Sequence, residues 1–262
     1  FLKYKYIHML DLSPISRKQS IVMLAYDQGF EIGPLTFNDK SYDPKYILDL
    51  AVKYKFSCVA LHKGLAEKYY PEYSDKIPLV VKLNGKTSLY QEEPISRMSC
   101  SVDYAKFLGA KAVGYTLYLG SEYEDDMLEE LGKAQERARQ IGMIFILWAY
   151  PKAYHIENET EPGLVEYAAR IGLEVGADVV KIKYPHSKDN KIDSEKALSD
   201  AVKLAGKCKV LVAGGAKMEE KDFLKKIESI KKSGAYGMAV GRNVWNSENP
   251  DKVCSKINRS EE

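Results

Sequence analysis

A single-domain (β/α)8 barrel of the TIM type, spanning residues 1–262, is the fold class that this sequence predicts. Three observations carry the prediction. Short apolar, β-branched runs recur eight times along the chain. A helical stretch follows each run, the alternation of a parallel sheet wound with crossover helices. Finally, Gly109, Gly142, Gly176, Gly206 and Gly234 fall where the chain must turn from helix back to strand. A length of 262 residues suits one barrel of roughly 250 residues, and eight units favour closure over an open sheet. No Gly-x-Gly-x-x-Gly follows the first run, which weighs against a dinucleotide-binding sheet.

Taken in order, the first strand is expected over residues 21–27 and its helix over 43–54. The second unit pairs 58–62 with a short helix at 64–70 and is the weakest of the series. The third run, 78–83, leads to a helix at 101–108 that stops at Gly109. The fourth, 112–117, leads to 122–140 and Gly142; the fifth, 144–150, leads to 162–175 and Gly176. The sixth, 179–184, is followed by 194–205 and Gly206, and the seventh, 209–213, by 219–232 and Gly234. The eighth, 237–240, is followed by a closing helix at 249–257. No repeat, low-complexity tract or linker interrupts the series.

Composition excludes several function classes. Basic and acidic residues number 39 and 37 and are mixed along the chain, so no nucleic-acid partner is expected. No apolar run approaches the roughly 18 residues of a membrane span. Residues 1–7 lack the apolar core of a signal peptide, so a cytoplasmic location without a membrane partner is expected. Cys58, Cys100, Cys208 and Cys254 are far apart and read as reduced, mostly buried thiols. His8, His62, His155 and His186 show no metal-ligand spacing, so neither a metal nor a cofactor is expected; His62 reads as a satisfied strand-end residue.

The candidate chemistry gathers at strand ends, the catalytic face of such a barrel. In Val179-Val-Lys181-Ile-Lys183 the period of two puts both amines on one side of an apolar strand. Most lysines of this chain read as solvated surface. A partly desolvated lysine beside another cation loses proton affinity instead, and its free amine can attack a carbonyl. One strand earlier, Trp148 and Tyr150 share a face. Read alone they are aromatic core; beside an imine-forming lysine, Tyr150 becomes a proton-transfer group and Trp148 a pocket wall. Asp27, at the end of the first strand, is either a cap for the following turn or the counter-charge of a cationic imine. Gly214-Gly215 and Gly241-Arg242 follow the seventh and eighth strands, the recurring phosphate location of this fold, where backbone N–H groups and a helix starting after Gly241 favour an anion. The polar segment from Lys82 to Tyr90 ends the third strand and reads either as a loop that touches substrate or, by default, as a simple loop.

The chain resembles the archaeal-type class I fructose-bisphosphate aldolases. The likeness covers nearly the whole chain and rests on Leu24-Ala-Tyr-Asp27, Leu83-Asn-Gly-Lys-Thr87, Ala112-Val-Gly-Tyr-Thr116, Trp148-Ala-Tyr-Pro151, Asn158-Glu-Thr160, Lys181-Ile-Lys-Tyr184, Gly214-Gly215 and Ala239-Val-Gly-Arg-Asn-Val-Trp245. It implies reversible cleavage of fructose 1,6-bisphosphate into dihydroxyacetone phosphate and glyceraldehyde 3-phosphate, without cofactor, by a cytoplasmic homo-oligomer of a kind frequently decameric. It implies Lys181 as the Schiff-base lysine, Tyr150 as the proton donor, Asp27 and Gln28 as substrate contacts, and Ala213, Gly214, Gly215, Gly241 and Arg242 as the phosphate loops. The sequence departs from the family pattern at four places: Gln28 stands for His, Lys152-Ala153 for Arg-Gly, Ala213 for Ser and Ala216 for Pro. Lys152 keeps the charge for a distal phosphate but loses the two-pronged guanidinium. A related lysine-dependent synthase making an aromatic amino acid precursor, and a non-catalytic sugar-phosphate binder, are the alternatives.

Overall fold

Eight parallel strands close on themselves in the computed structural model, which describes residues 11–89, 91–189 and 192–259. In chain order the strands are β1 (Ile21–Ala25), β2 (Cys58–His62), β3 (Leu79–Lys82), the two-residue hairpin strands β4 (Asn84–Gly85) and β5 (Arg97–Met98), β6 (Ala112–Leu119), β7 (Ile144–Pro151), β8 (Val179–Ile182), β9 (Lys209–Ala213) and β10 (Gly237–Val240). The barrel runs β1-β10-β9-β8-β7-β6-β3-β2, with β4 and β5 as an antiparallel pair beyond it. Residues 1–7, His8 and Tyr90 lie outside the described residues.

Alternation along the strands divides the core into two layers. Met23, Ala60, Val80, Ile146, Val179 and Leu211 fill the barrel, and Leu12 and Ile15 from the chain ahead of β1 join that cluster. Val22, Leu24, Val59, Leu147, Val180 and Val210 point the other way and pack under the helices. Both faces are therefore buried, which is why the strands read as continuous apolar runs.

The helices are α1 (Gln28–Glu31), α2 (Pro44–Lys53), α3 (Lys63–Tyr69), α4 (Val102–Phe107), α5 (Glu124–Gln140), α6 (Pro162–Glu174), α7 (Ser194–Leu204), α8 (Glu220–Lys232), α9 (Arg242–Trp245) and α10 (Pro250–Arg259). In α5 the buried Met127, Leu131, Ala134 and Ala138 form one stripe, with acids in the first turn and Arg137 and Arg139 in the last, as the helix dipole prefers. Asp43, Ser101 and Asp193 cap α2, α4 and α7 through their side chains. The five stop glycines all carry positive φ, between 57° and 84°.

Four strand ends near the site differ from expectation. β6 and β7 run on together to Leu119 and Pro151 because they pair with each other over their full length. β8 loses its β7 partner after Trp148↔Lys181 and ends at Ile182, so Lys183 and Tyr184 belong to the loop. β1 ends at Ala25, and Tyr26 and Asp27 form the turn into α1 at Gln28.

Candidate active site

A cavity of about 640 Å³ opens where the strands end. Every residue singled out from the sequence lines it. Asp27 and Gln28 come from the turn after β1, Trp148, Tyr150 and Lys152 from the end of β7, and Lys181 and Lys183 from β8 and its loop. Ala213, Gly214 and Gly215 follow from the end of β9, and Gly241 and Arg242 from the loop after β10.

Lys181 stands inside the barrel, only 6% exposed, with Nζ 4.9 Å from the centre of the Trp148 ring. The indole fits there because its ring lies over Gly114 of β6: a Cβ at that position would lie 2.0 Å from Trp148 Cζ3. Burial draws the Lys181 amine down to about 8; Lys82 acts in the same direction, while Asp27 and Glu31 oppose it.

The cation that depresses Lys181 is therefore Lys82, and not Lys183 as the sequence suggested. Lys183 lies past the strand end and forms an ion pair with Glu159. Lys82 is wholly shielded, its Nζ 2.6 Å from Glu31 Oε1, 3.9 Å from Asp27 Oδ2 and 5.5 Å from the centre of the Trp148 ring. The segment beginning at Lys82 is thus no simple loop: its first residue is the buried floor of the site. Just beyond, Asn84 donates to Thr116 O and accepts from Thr116 N, fastening the hairpin to β6.

Asp27 faces the two buried lysines. It occupies the N-cap position of α1, yet its side chain makes no capping hydrogen bond. Burial acts to raise its carboxyl, but Lys181, Lys82 and His62 together hold it below the usual carboxylate range. His62 ends β2 as expected and hydrogen-bonds the Asp27 backbone, while its buried Nε2 finds no hydrogen-bond partner among the described residues.

Burial, Asp27 and Glu31 raise the Tyr150 phenol well above its ordinary value, so it stays protonated at neutral pH. Lys183 Nζ lies 5.5 Å from the centre of its ring, and Lys152 stands 3.8 Å from Glu159. Lys152, Lys183 and Glu159 thus form one charged cluster in the cavity wall.

In the loop after β9, Gly215 adopts φ +85°, a conformation that disfavours side chains. Asn243 braces this loop, donating to Ala216 O at 2.9 Å and accepting from Met218 N at 2.9 Å. Gly241 is needed for a different reason: a Cβ there would lie 2.8 Å from Gln28 Nε2 and 2.9 Å from Ala25 O. The helix expected after Gly241 exists, but α9 has only 4 residues and contributes free N–H groups more than a dipole.

Glu31 belongs to no motif of the sequence, and Lys82, Glu159 and Asn243 lie in segments that gave them no individual role. Only Lys82 carried a local signal: it lies two residues from the inward-facing Val80, the same period that marked Lys181. All four cysteines are buried and free. Among the described residues there is no cluster of metal-binding side chains, and no helix is long and apolar enough to cross a membrane.

Fold and cavity together define a barrel aldolase, and the chain belongs to the DeoC/LacD family of aldolases, whose family model matches residues 21–247. Within that family it is similar to the class 1 fructose-bisphosphate aldolase of Thermoproteus tenax, with 48% identity over 233 residues, 88% of this chain and 85% of the relative. A solved archaeal fructose-1,6-bisphosphate aldolase, its catalytic lysine covalently bound to the carbinolamine intermediate of the substrate, superimposes with a TM-score of 0.88 at 45% identity, covering 95% of this chain and 96% of its own. A 2-amino-3,7-dideoxy-D-threo-hept-6-ulosonate synthase from Archaeoglobus fulgidus is more distant, at 31% identity over 94% of this chain and 87% of its length.

Proposed function

We propose that this protein is a class I aldolase that reversibly cleaves fructose 1,6-bisphosphate into dihydroxyacetone phosphate and glyceraldehyde 3-phosphate through an imine on Lys181. The observation that carries the reading is the Lys181 amine itself, desolvated over Trp148 and drawn down to about 8, in a chain 45% identical to an aldolase trapped on its lysine. Lys181 adds to the C2 carbonyl, and loss of water from the carbinolamine leaves a protonated imine. The C3–C4 bond then breaks with its electron pair flowing into that imine, while the C4 hydroxyl gives up its proton as the aldehyde forms. Tyr150 relays protons between substrate carbon and oxygen, Asp27 orients hydroxyls beside the cationic nitrogen, and Trp148 walls the reacting carbons.

The glycine loops with Arg242 hold the phosphate nearer the imine, since C1 is bonded to C2. Lys152 and Lys183 serve the far phosphate, and Gln28 and Ala213 complete the wall on the near side. The reading includes a cytoplasmic homo-oligomer, whose stoichiometry light scattering would give. A panel of ketose phosphates tests the substrate. Fructose 1,6-bisphosphate should be cleaved fastest by the wild type and not at all by Lys181→Met; cleavage confined to a different sugar phosphate would move the protein to the synthase reading.

A further inference from the structure

Lys226 lies outside every motif, on a helix where Lys221, Lys225 and Lys232 are exposed, yet its own side chain ends in the cavity. Its Nζ donates to the Gly214 carbonyl oxygen at 3.2 Å and rests 5.0 Å from the centre of the Tyr184 ring. Ser229, one turn further along α8, fixes that ring through a 2.7 Å hydrogen bond to the Tyr184 hydroxyl. From β10's side of the same loop, Arg242 Nη2 leans on the Gly215 carbonyl oxygen at 3.5 Å, and its Nε is buried without a hydrogen bond.

These two cations differ from the others around the cavity. Lys82 has Glu31, Lys183 has Glu159, and Lys181 feels the charge of Asp27. Lys226 and Arg242 make no salt bridge among the described residues. Burial depresses both, the lysine to about 8, and no carboxylate counteracts it. A desolvated cation without a counter-charge is unfavourable unless a ligand supplies the charge. Both positive groups lean on the loop in which Gly214 and Gly215 leave the backbone open.

The geometry points to Lys226 as a second cationic ligand, paired with Arg242, for a phosphate group seated on the Gly214-Gly215 loop. It deepens the proposed sugar-phosphate reading and rests on it, adding a contact delivered by a helix and not by a loop. The charges match, since a phosphate monoester approaches −2 at neutral pH. The donors match as well: an ammonium has three, and Gly214 O takes one, leaving two for phosphate oxygens. Tyr184 holds the flexible stem in place beforehand.

The test compares wild type, Lys226→Met and Lys226→Arg by calorimetric binding of dihydroxyacetone phosphate and inorganic phosphate. Borohydride trapping with dihydroxyacetone, which has no phosphate, is run alongside. Lys226→Met should bind both phosphates at least about 10-fold more weakly, the scale of one charged hydrogen bond, and Lys226→Arg should recover most of the loss. Trapping of dihydroxyacetone by Lys226→Met should proceed at the wild-type rate. Wild-type phosphate affinity in Lys226→Met overturns the assignment. Slowed dihydroxyacetone trapping also overturns it, because it would mark Lys226 as a packing residue. If the wild type itself binds neither phosphate, the sugar-phosphate reading falls and takes this inference with it.

Discussion

Lys82 Nζ lies 3.9 Å from Asp27 Oδ2 in a place where the lysine side chain has no exposure and the aspartate 6%. With Glu31 at 2.6 Å it completes a buried triad that ties β3 to the turn carrying Asp27. Removing one partner of a buried pair leaves the other charge uncompensated. Lys82→Met should therefore cost about 3 kcal/mol or more, read as a lower urea midpoint. Glu31→Gln should cost less, because Glu31 keeps 23% exposure, and the double variant should recover part of the loss. An unchanged midpoint in Lys82→Met would mean that the triad does not hold the site.

Gly114→Ala tests the seat of Trp148. With the added carbon 2.0 Å from the indole, the ring must move or the strands must part. The expected cost is about 1–3 kcal/mol, the scale of an overpacked core, with a shift in tryptophan emission. Stability and emission like those of wild type would show that the barrel accommodates both groups.

The pH dependence follows from the sign of each effect on Lys181. The amine attacks when unprotonated, so trapping should quicken with pH and level off above about 8. Asp27 favours the charged amine, so Asp27→Asn should move the rise to lower pH. A profile displaced upward, or unmoved, would contradict the arrangement. Stability is linked in the same window. The folded amine holds its proton less tightly than an unfolded one near 10.5, so the cost of burying Lys181 is present below about 8. It fades as pH rises from there toward 10.5.

Tyr150→Phe should keep ligand binding and imine formation but slow turnover by roughly 100-fold, the scale of a lost acid–base group. Single-turnover trapping against steady-state cleavage separates the two steps. Equal losses in both would assign Tyr150 to packing.

The legible part of this site is the part with a local cause. Lys181 shows itself because a charge interrupts an apolar strand, and the loops after β9 and β10 because glycines are needed where backbone turns sharply or approaches closely. Asp27 was ambiguous from its neighbours alone, because capping and charge pairing call for the same residue. The charge pairing comes from Lys82 and Lys181, both distant in sequence. The Lys82–Glu31 pair joins positions 51 residues apart, and Glu159 reaches Lys183 across the loop between β7 and α6. Lys226 is masked by the lysines around it in an amphipathic helix, since its inward direction depends on how α8 packs beside β9. Such pairings have no signature at short range.

The most direct measurement is mass spectrometry of the wild-type protein after borohydride reduction with dihydroxyacetone phosphate. The account predicts a single adduct, on the peptide carrying Lys181, absent from Lys181→Met. An adduct on Lys183 or Lys82, or cleavage of fructose 1,6-bisphosphate with no adduct on any lysine, would contradict it.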